Sequence, residues 1–110
     1  MKKLKTPVVL SAVLTFAATV SFAEMSAQEI TDTHSGKCTT YNGPTTGTQC
    51  YQMDGVTTYQ DATYGTGSGK WSLRENELCT KYSGEPIDCG PITRVNENTY
   101  SDGTYTWTVN

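Results

Sequence analysis

The chain has 110 residues, a formal net charge of −3 and hydrophobic side chains at 35% of its positions. This length allows one small domain, and the low hydrophobic content gives that domain a thin core of marginal stability. The acidic balance argues against binding to nucleic acid or to an anionic membrane surface, since both attract basic proteins.

The first 23 residues have the three-part layout of a secretory signal peptide. Three lysines at positions 2, 3 and 5 precede an uncharged run over 7–20, and the small residues Ser21 and Ala23 stand before Glu24. A membrane span needs about 20 apolar residues, more than this run provides, so an uncleaved anchor is the weaker alternative. We predict a signal peptide over residues 1–23, export to the periplasm or the medium, and no stable membrane insertion after its removal. The remaining chain keeps five basic and eleven acidic residues, a net charge of −6.

The polar segment 24–37 follows, and we predict that it is a flexible lead-in with at most one short strand. The only histidine of the chain, His34, lies in this segment, where we expect it at the surface. A single all-β domain is predicted over 38–110.

This domain contains an internal duplication. The block from Cys38 to Gly43 recurs from Cys79 to Gly84, and the block from Thr58 to Tyr64 recurs from Thr99 to Tyr105, both at an offset of 41 residues. Two separate blocks with one offset predict tandem repeat units over 38–78 and 79–110. The alternative is that unrelated hairpins resemble each other because turns and strands use a small set of residue types.

The four cysteines allow three disulfide pairings. Each repeat unit holds two of them on either side of a predicted turn, so the simplest pairing is Cys38–Cys50 and Cys79–Cys89. A zinc site is the rival use of four cysteines, but the chain has no C-x-x-C pair and the predicted compartment is oxidising. We therefore expect two disulfides, no metal and no cofactor.

Short strands are predicted through the rest of the chain. An Asp54-Gly55 turn between 49–53 and 56–60 is typical of a hairpin. Residues 64–69, rich in glycine, are predicted to form a loop or a bulged bend. Further strands are predicted from hydrophobic alternation around Trp71, over 78–82, over 87–95 with a break at Gly90-Pro91, and over 104–109. Seven or eight such strands favour a small antiparallel barrel or sandwich in which the two repeat units form the halves.

Residues suited to catalysis are sparse, and we predict that the protein is not an enzyme. His34 stands alone, and all four cysteines are expected in disulfides. Asp61 and Asp102 occupy matching positions and would suit a carboxylate pair for glycoside hydrolysis. Both precede a small residue, however, which is typical of a turn.

The tyrosines are the best indication of function, because Tyr and Trp provide rigid, amphipathic contact area for a partner. Equivalent places in the two units carry Tyr41 and Tyr82, which we expect to be exposed beside hairpin tips, and Tyr59 and Tyr100. We predict a non-enzymatic binding module that recognises a protein or a glycan through these four residues. The alternatives are an inhibitor of a secreted enzyme such as a lysozyme or a protease, with the loop 82–88 inserted in a cleft, and a structural component of the envelope.

The stretch Gly69-Lys70-Trp71-Ser72-Leu73, followed by Leu78-Cys79 and then Cys89, resembles a pattern in small exported proteobacterial proteins. Those proteins have a G-x-W strand, a short turn, an L-C strand and a second cysteine, and are sometimes compared with lipocalin-type barrels. The resemblance implies export and a barrel-like fold, and it implies no activity. True lipocalins are far longer and carry the G-x-W near their start, so the resemblance does not imply a ligand-filled barrel.

Overall fold

The computed structural model describes residues 23–110, so the predicted signal peptide lies outside the described residues except for Ala23. The described part has one helix followed by nine strands. In chain order these are α1 (Ala27–His34), β1 (Lys37–Asn42), β2 (Thr46–Tyr51), β3 (Val56–Asp61), β4 (Gly65–Arg74), β5 (Glu77–Tyr82), β6 (Asp88–Pro91), β7 (Thr93–Asn96), β8 (Thr99–Ser101) and β9 (Thr106–Val109). Over these residues no helix has the length and apolar character that a membrane span requires.

The strands form one antiparallel sheet in the order β6-β5-β4-β3-β2-β1-β9-β8-β7. The two strands at its edges, β6 and β7, are separated in the chain by Ile92 alone. The sheet therefore curls into a nearly closed barrel, as the predicted all-β barrel requires. The segment before α1 covers the seam, because Glu24 pairs with Thr93 and the amide of Met25 donates to the carbonyl of Ile92 (2.8 Å).

Both predicted disulfides are confirmed. Cys38 is the cross-strand partner of Cys50 between β1 and β2, and Cys79 is the partner of Cys89 between β5 and β6. Each cysteine pair thus joins two hydrogen-bonded neighbours at a Cα–Cα separation of 3.9 or 4.0 Å. No free cysteine remains in the described chain.

The predicted flexible lead-in is the main point at which the structure differs from the prediction. It contains α1, which begins with a capping box: the side chain of Ser26 accepts from the amide of Glu29, and the carboxylate of Glu29 accepts from the amide of Ser26. The side chain of Asn76, from the β4–β5 turn, accepts from the next amide, that of Ala27. Only Ile30 and His34 of the helix are buried, one turn apart, and two residues give too weak a periodicity to predict a helix.

The helix closes one end of the barrel, which we call the closed end. The two buried side chains of the helix, Ile30 and His34, pack on core residues from four strands and the seam: Met25, Tyr51, Leu78, Ile92, Tyr100 and Trp107. His34 is fully buried there, with 0% of its surface exposed, so its predicted position at the surface is wrong. The indole nitrogen of Trp107 donates to Nε2 of His34 (2.9 Å), and the hydroxyl of Thr33 lies 2.8 Å from Nδ1. These contacts satisfy both ring nitrogens inside the core.

The glycine-rich segment 65–69 is also different from the prediction, since it is the first half of the ten-residue strand β4 and not a loop. Alternate residues of β4 are exposed and half-buried, and the half-buried positions begin with Gly67 and Gly69 and continue with Trp71 and Leu73. The two glycines therefore occupy inward-facing positions of a regular strand. The other predicted strands and the Asp54-Gly55 turn are present. The predicted break at Gly90-Pro91 is wrong, because both residues belong to β6 and the break before β7 is at Ile92.

Candidate binding cavity

A cavity of about 560 Å³ occupies the barrel at the end opposite α1, which we call the open end. Its floor is formed by core residues of the closed end, among them Tyr51, Leu78 and Trp107. Its rim carries residues from the turns after β3, β5 and β8. Six of the seven tyrosines of the chain line this cavity: Tyr41, Tyr51, Tyr59, Tyr64, Tyr82 and Tyr105.

Glycines on neighbouring strands make room for four of these rings. Tyr41 is the cross-strand partner of Gly47, Tyr59 of Gly67, and Tyr82 of Gly69. A Cβ atom built on any of these glycines would overlap the opposing phenol ring, as would one built on Gly43 against Tyr105. Three of these rings therefore lie against the bare backbone of the next strand, and the ring of Tyr105 lies against the turn after β1. This arrangement lets large side chains turn inward while leaving space in the middle of a small barrel.

The rings also hold one another in two edge-to-face pairs. Tyr41 and Tyr105 have ring centroids 5.5 Å apart at an interplanar angle of 86°, and Tyr59 and Tyr82 are 5.4 Å apart at 87°. Such pairs contribute about 0.5–1.5 kcal/mol beyond the area they bury. The side-chain amide of Gln49 donates to the hydroxyl of Tyr82 (2.8 Å). The walls of the cavity are thus fixed by packing and hydrogen bonds.

The carboxylate of Asp61 organises one side of the rim. It accepts hydrogen bonds from the hydroxyls of Tyr41 (2.5 Å) and Thr45 (2.9 Å) and from the amides of Thr63 and Tyr64 (2.7 and 2.9 Å). Partial burial opposes ionisation of this group, but the four hydrogen bonds outweigh that effect and lower the pKa of Asp61 from 3.8 to about 2. Asp61 therefore carries a negative charge at every physiological pH.

Asp102 makes the equivalent turn on the opposite half of the chain. Its carboxylate accepts from the amides of Thr104 (2.9 Å) and Tyr105 (2.8 Å), at the same spacing as Asp61 with Thr63 and Tyr64. Each aspartate thus holds a tyrosine at the rim, three residues further along the chain. Both serve as turn residues, which is the structural role that the sequence indicates for them.

Four phenol groups of the cavity stay protonated. Burial raises the pKa of Tyr41, Tyr51, Tyr82 and Tyr105 above the usual value of 10, and the Asp61 carboxylate raises the pKa of Tyr41 and Tyr105 further. A phenol that remains neutral keeps its hydrogen as a donor and its ring face as a region of negative potential. These four residues therefore offer aromatic faces and hydroxyl groups without phenolate charges.

Three of the four tyrosines predicted to bind a partner lie together in the cavity, and one does not. Tyr41, Tyr59 and Tyr82 line it, although Tyr41 and Tyr82 are half-buried and not exposed at hairpin tips as predicted. Tyr100 is 3% exposed and packs edge-on against His34, with ring centroids 5.0 Å apart. Tyr100 therefore lies in the core beneath α1 and does not line the cavity. The binding role of the four tyrosines stays a prediction.

Other residues of the cavity were not predicted from the sequence. Tyr51 follows Gly47 and Gln49 at alternate positions of β2, a pattern that places all three on one face. Glu85 and Asp88 lie in and after the β5–β6 turn, where nothing in the sequence indicates that they face the barrel axis. Over residues 23–110, no three side chains of His, Cys, Asp or Glu are grouped so that they could hold a metal ion.

Comparisons of the chain with protein-family models, with curated proteins and with solved structures find no match. The resemblance to small exported proteobacterial proteins therefore stays a prediction.

Proposed function

We propose that this chain is an exported, non-enzymatic binding protein that holds its ligand in the tyrosine-lined cavity at the open end of the barrel. The observation that carries the proposal is the cavity itself. It is about 560 Å³ in volume, closed at its floor by the core and lined by six tyrosine rings together with acidic and other polar side chains. Small-molecule sites in proteins are concave, lie at the mouths of barrels, and span roughly 300–1,000 Å³.

The rigidity of the walls supports this proposal. One disulfide joins the neighbouring strands β1 and β2, the other joins β5 and β6, and the edge-to-face pairs hold four of the tyrosine rings in place. A site that is already ordered before binding loses less conformational entropy when the ligand enters. A small-molecule ligand, or one projecting group of a glycan or protein partner, is the occupant that fits this volume.

Export is part of the same proposal. Two disulfides are consistent with an oxidising compartment outside the cytoplasm, where thiols are not kept reduced. The signal-peptide pattern of residues 1–23 supports this location. Recovery of the protein from the periplasm or medium, cleaved after residue 23 and with both disulfides formed, would test it by mass spectrometry.

A substitution pair at Gly90 tests the cavity. This residue lines the cavity, and a Cβ built on it meets no atom within 4 Å, so a side chain can be added there without displacing the wall. Saturation-transfer NMR would be run on the disulfide-intact protein with a panel of monosaccharides, aromatic alcohols and small amines. We expect that compounds bound by the natural protein lose binding in Gly90→Phe and keep it in Gly90→Ala.

A panel with no binder, or binders that are unaffected by Gly90→Phe, would overturn the proposed function. Unfolding curves of both variants serve as the control, since a folded Gly90→Phe protein is needed to assign lost binding to the filled cavity. If Gly90→Phe does not fold, Gly90→Leu replaces it in the same comparison.

A second candidate function, inhibition of a secreted enzyme, is favoured by one observation. The β5–β6 loop is closed at its base by the Cys79–Cys89 disulfide and presents Ile87 with 44% of its surface exposed. An inhibitory loop of this kind fills a cleft with one projecting side chain.

If the loop is inhibitory, Ile87→Asp abolishes inhibition of a lysozyme or protease in the assay. Met53→Asp, at an equally apolar and more exposed position of the closed end, does not. Absence of inhibition by the natural protein removes this candidate.

A further inference from the structure

The charges around the cavity are all of one sign. Four carboxylates line it: Asp61, Glu85, Asp88 and Asp102. None of the five basic residues within 23–110 lines it. Like charges gathered around a low-dielectric recess focus their field into it, and this field attracts ligands of the opposite sign.

The basic residues of the described chain lie elsewhere. Lys37 and Arg94 are close enough to His34 at the closed end to disfavour its protonation. Lys70, Arg74 and Lys81 are exposed positions of β4 and β5, whose inward-facing neighbours are Gly69, Trp71 and Tyr82. The ammonium group of Lys81 donates to the carbonyl of Tyr82 (3.0 Å) at the β5–β6 turn, outside the cavity lining. The charges that line the cavity at the open end are therefore all negative.

The aromatic residues that line the cavity also favour a positively charged ligand. An aromatic ring has negative potential over its faces, and an ammonium group within about 6 Å of a ring centroid is attracted to it. Six tyrosines line the cavity, and the raised pKa values of Tyr41 and Tyr105 keep these two rim phenols uncharged beside the carboxylates. A ring of neutral aromatic side chains with carboxylates at its edge is the arrangement that recognises alkylammonium groups.

A metal cation does not fit this arrangement. Metal sites gather three or more ligating side chains around one point, and no such group exists within residues 23–110. Asp61 and Asp102 also direct one carboxylate oxygen each to backbone amides of their own turns. The negative charge is spread around the rim, which suits a larger organic cation.

We propose that the ligand of this cavity is a small organic cation whose ammonium group lies among the tyrosine rings beneath the four carboxylates. This inference rests on the proposed function, because it names the chemical class of the cavity's occupant. The tyrosine faces provide attraction for the alkylated nitrogen, and the carboxylates draw the cation to the mouth and disfavour anions.

Three probes of nearly the same shape test the inference. Choline carries a trimethylammonium group, 3,3-dimethyl-1-butanol replaces it by a neutral tert-butyl group, and 3,3-dimethylbutanoate has the tert-butyl group and a negative charge. Their dissociation constants would be measured by NMR titration of the disulfide-intact protein at low and at moderate salt. We expect choline to bind about tenfold more tightly than the neutral alcohol, and the anion to bind more weakly than both.

Two double variants distinguish the effect of the rim carboxylates on choline binding from the effect of the protein's net charge. Glu85→Gln with Asp88→Asn removes two exposed rim carboxylates and should weaken choline binding several-fold, with less effect on the neutral alcohol. Glu75→Gln with Glu97→Gln removes the same charge from exposed turns of the closed end and should leave both affinities unchanged.

Each outcome decides the inference. Equal affinities for choline and the neutral alcohol, tighter binding of the anion, or no choline binding at all would overturn it. So would equal weakening by the two double variants. The proposed function is judged separately, by whether Gly90→Phe removes the binding of any compound in the panel of monosaccharides, aromatic alcohols and small amines.

Discussion

The phenol ring of Tyr59 lies against the backbone of Gly67, its cross-strand partner, in the space that a Cβ at residue 67 would occupy. The same relationship joins Tyr82 to Gly69 and Tyr41 to Gly47. Strand glycines usually weaken a sheet, because they lose more conformational entropy on folding and have no side chain to pack. In this barrel the three glycines provide the space that allows three tyrosine rings to face the cavity.

This relationship predicts a large difference between two glycine substitutions. Gly67→Ala forces the Tyr59 ring out of its position and should lower the free energy of unfolding by about 1–3 kcal/mol, as overpacking does in other cores. Gly90→Ala adds the same methyl group where no atom lies within 4 Å and should cost less than 0.5 kcal/mol, roughly the effect of a neutral substitution. Urea unfolding of the two variants measures the difference, and equal stabilities would show that the ring does not depend on the glycine.

His34 makes the stability of the protein depend on pH in the mildly acidic range. Burial, with smaller contributions from Arg94 and Lys37, lowers the pKa of His34 from 6.5 to about 4. Between these values the unfolded chain binds a proton that the folded protein does not, so stability falls as the pH decreases from about 6.5 to about 4. The shift corresponds to about 3 kcal/mol over that window, and above pH 6.5 this residue has no effect.

The control for this prediction is His34→Gln. Glutamine keeps an acceptor for the indole nitrogen of Trp107 and does not titrate, so the slope of stability between pH 6.5 and 4 should flatten even if the variant is less stable overall. Denaturant midpoints at several pH values give the slope. An unchanged slope in His34→Gln would mean that another group causes the pH dependence.

The hydrogen bond from Tyr41 to Asp61 is tested by titration of the carboxyl group. Tyr41→Phe removes one of the four donors, so the pKa of Asp61 should rise from about 2 towards its ordinary value. The stability that Asp61 contributes is present above pH 3.8 and lost as the pH falls towards 2, so in the variant the loss should be smaller and should be complete at a higher pH. Carbon-13 NMR of the side-chain carboxyl follows the titration. Tyr59→Phe removes a different cavity hydroxyl and should leave the Asp61 titration unchanged.

The two short-loop disulfides should each stabilise this thinly cored barrel. Each closes a loop of 12 or 10 residues, and replacing both cysteines of a pair by serine should reduce the free energy of unfolding by about 2–3 kcal/mol in the chain-entropy model. Thermal and denaturant unfolding of the two double variants measure the loss. A loss below about 0.5 kcal/mol would show that the strand pairing alone restrains these segments.

The disulfide pairing, the hairpins and the barrel class followed from residues whose effect is local. Cys38 and Cys50 stand on either side of a short turn, and Asp54-Gly55 has the chemistry of a hairpin turn. The repeat units 38–78 and 79–110 stay a prediction. The matching hydrogen bonds of Asp61 and Asp102 support it, whereas the core position of Tyr100 shows that its match, Tyr59, differs in environment.

The features that the sequence did not predict depend on contacts between distant segments. Helix α1 is too short and too polar to be stable alone, and it forms because Ile30 and His34 are buried on the barrel. The spacing of Ser26 and Glu29 was the one local indication of its start. Gly67 and Gly69 belong to a glycine-rich segment that is typical of a loop. They lie in a strand because the rings of Tyr59 and Tyr82 pack against their backbone. The cavity itself arises because large tyrosine side chains on one strand face glycines, which have no side chain, on the next strand.

The central claim, that the open end of the barrel is the binding site, is tested most directly by mapping where a ligand contacts the protein. Amide chemical shifts would be recorded during titration of the disulfide-intact protein with choline. The account predicts that the largest changes occur at Gly47, Gly67 and Gly69, whose backbones lie against the cavity rings, and that Met53 and Glu97 at the closed end do not shift. Changes centred on the closed end, or spread evenly over the outer surface, would contradict it.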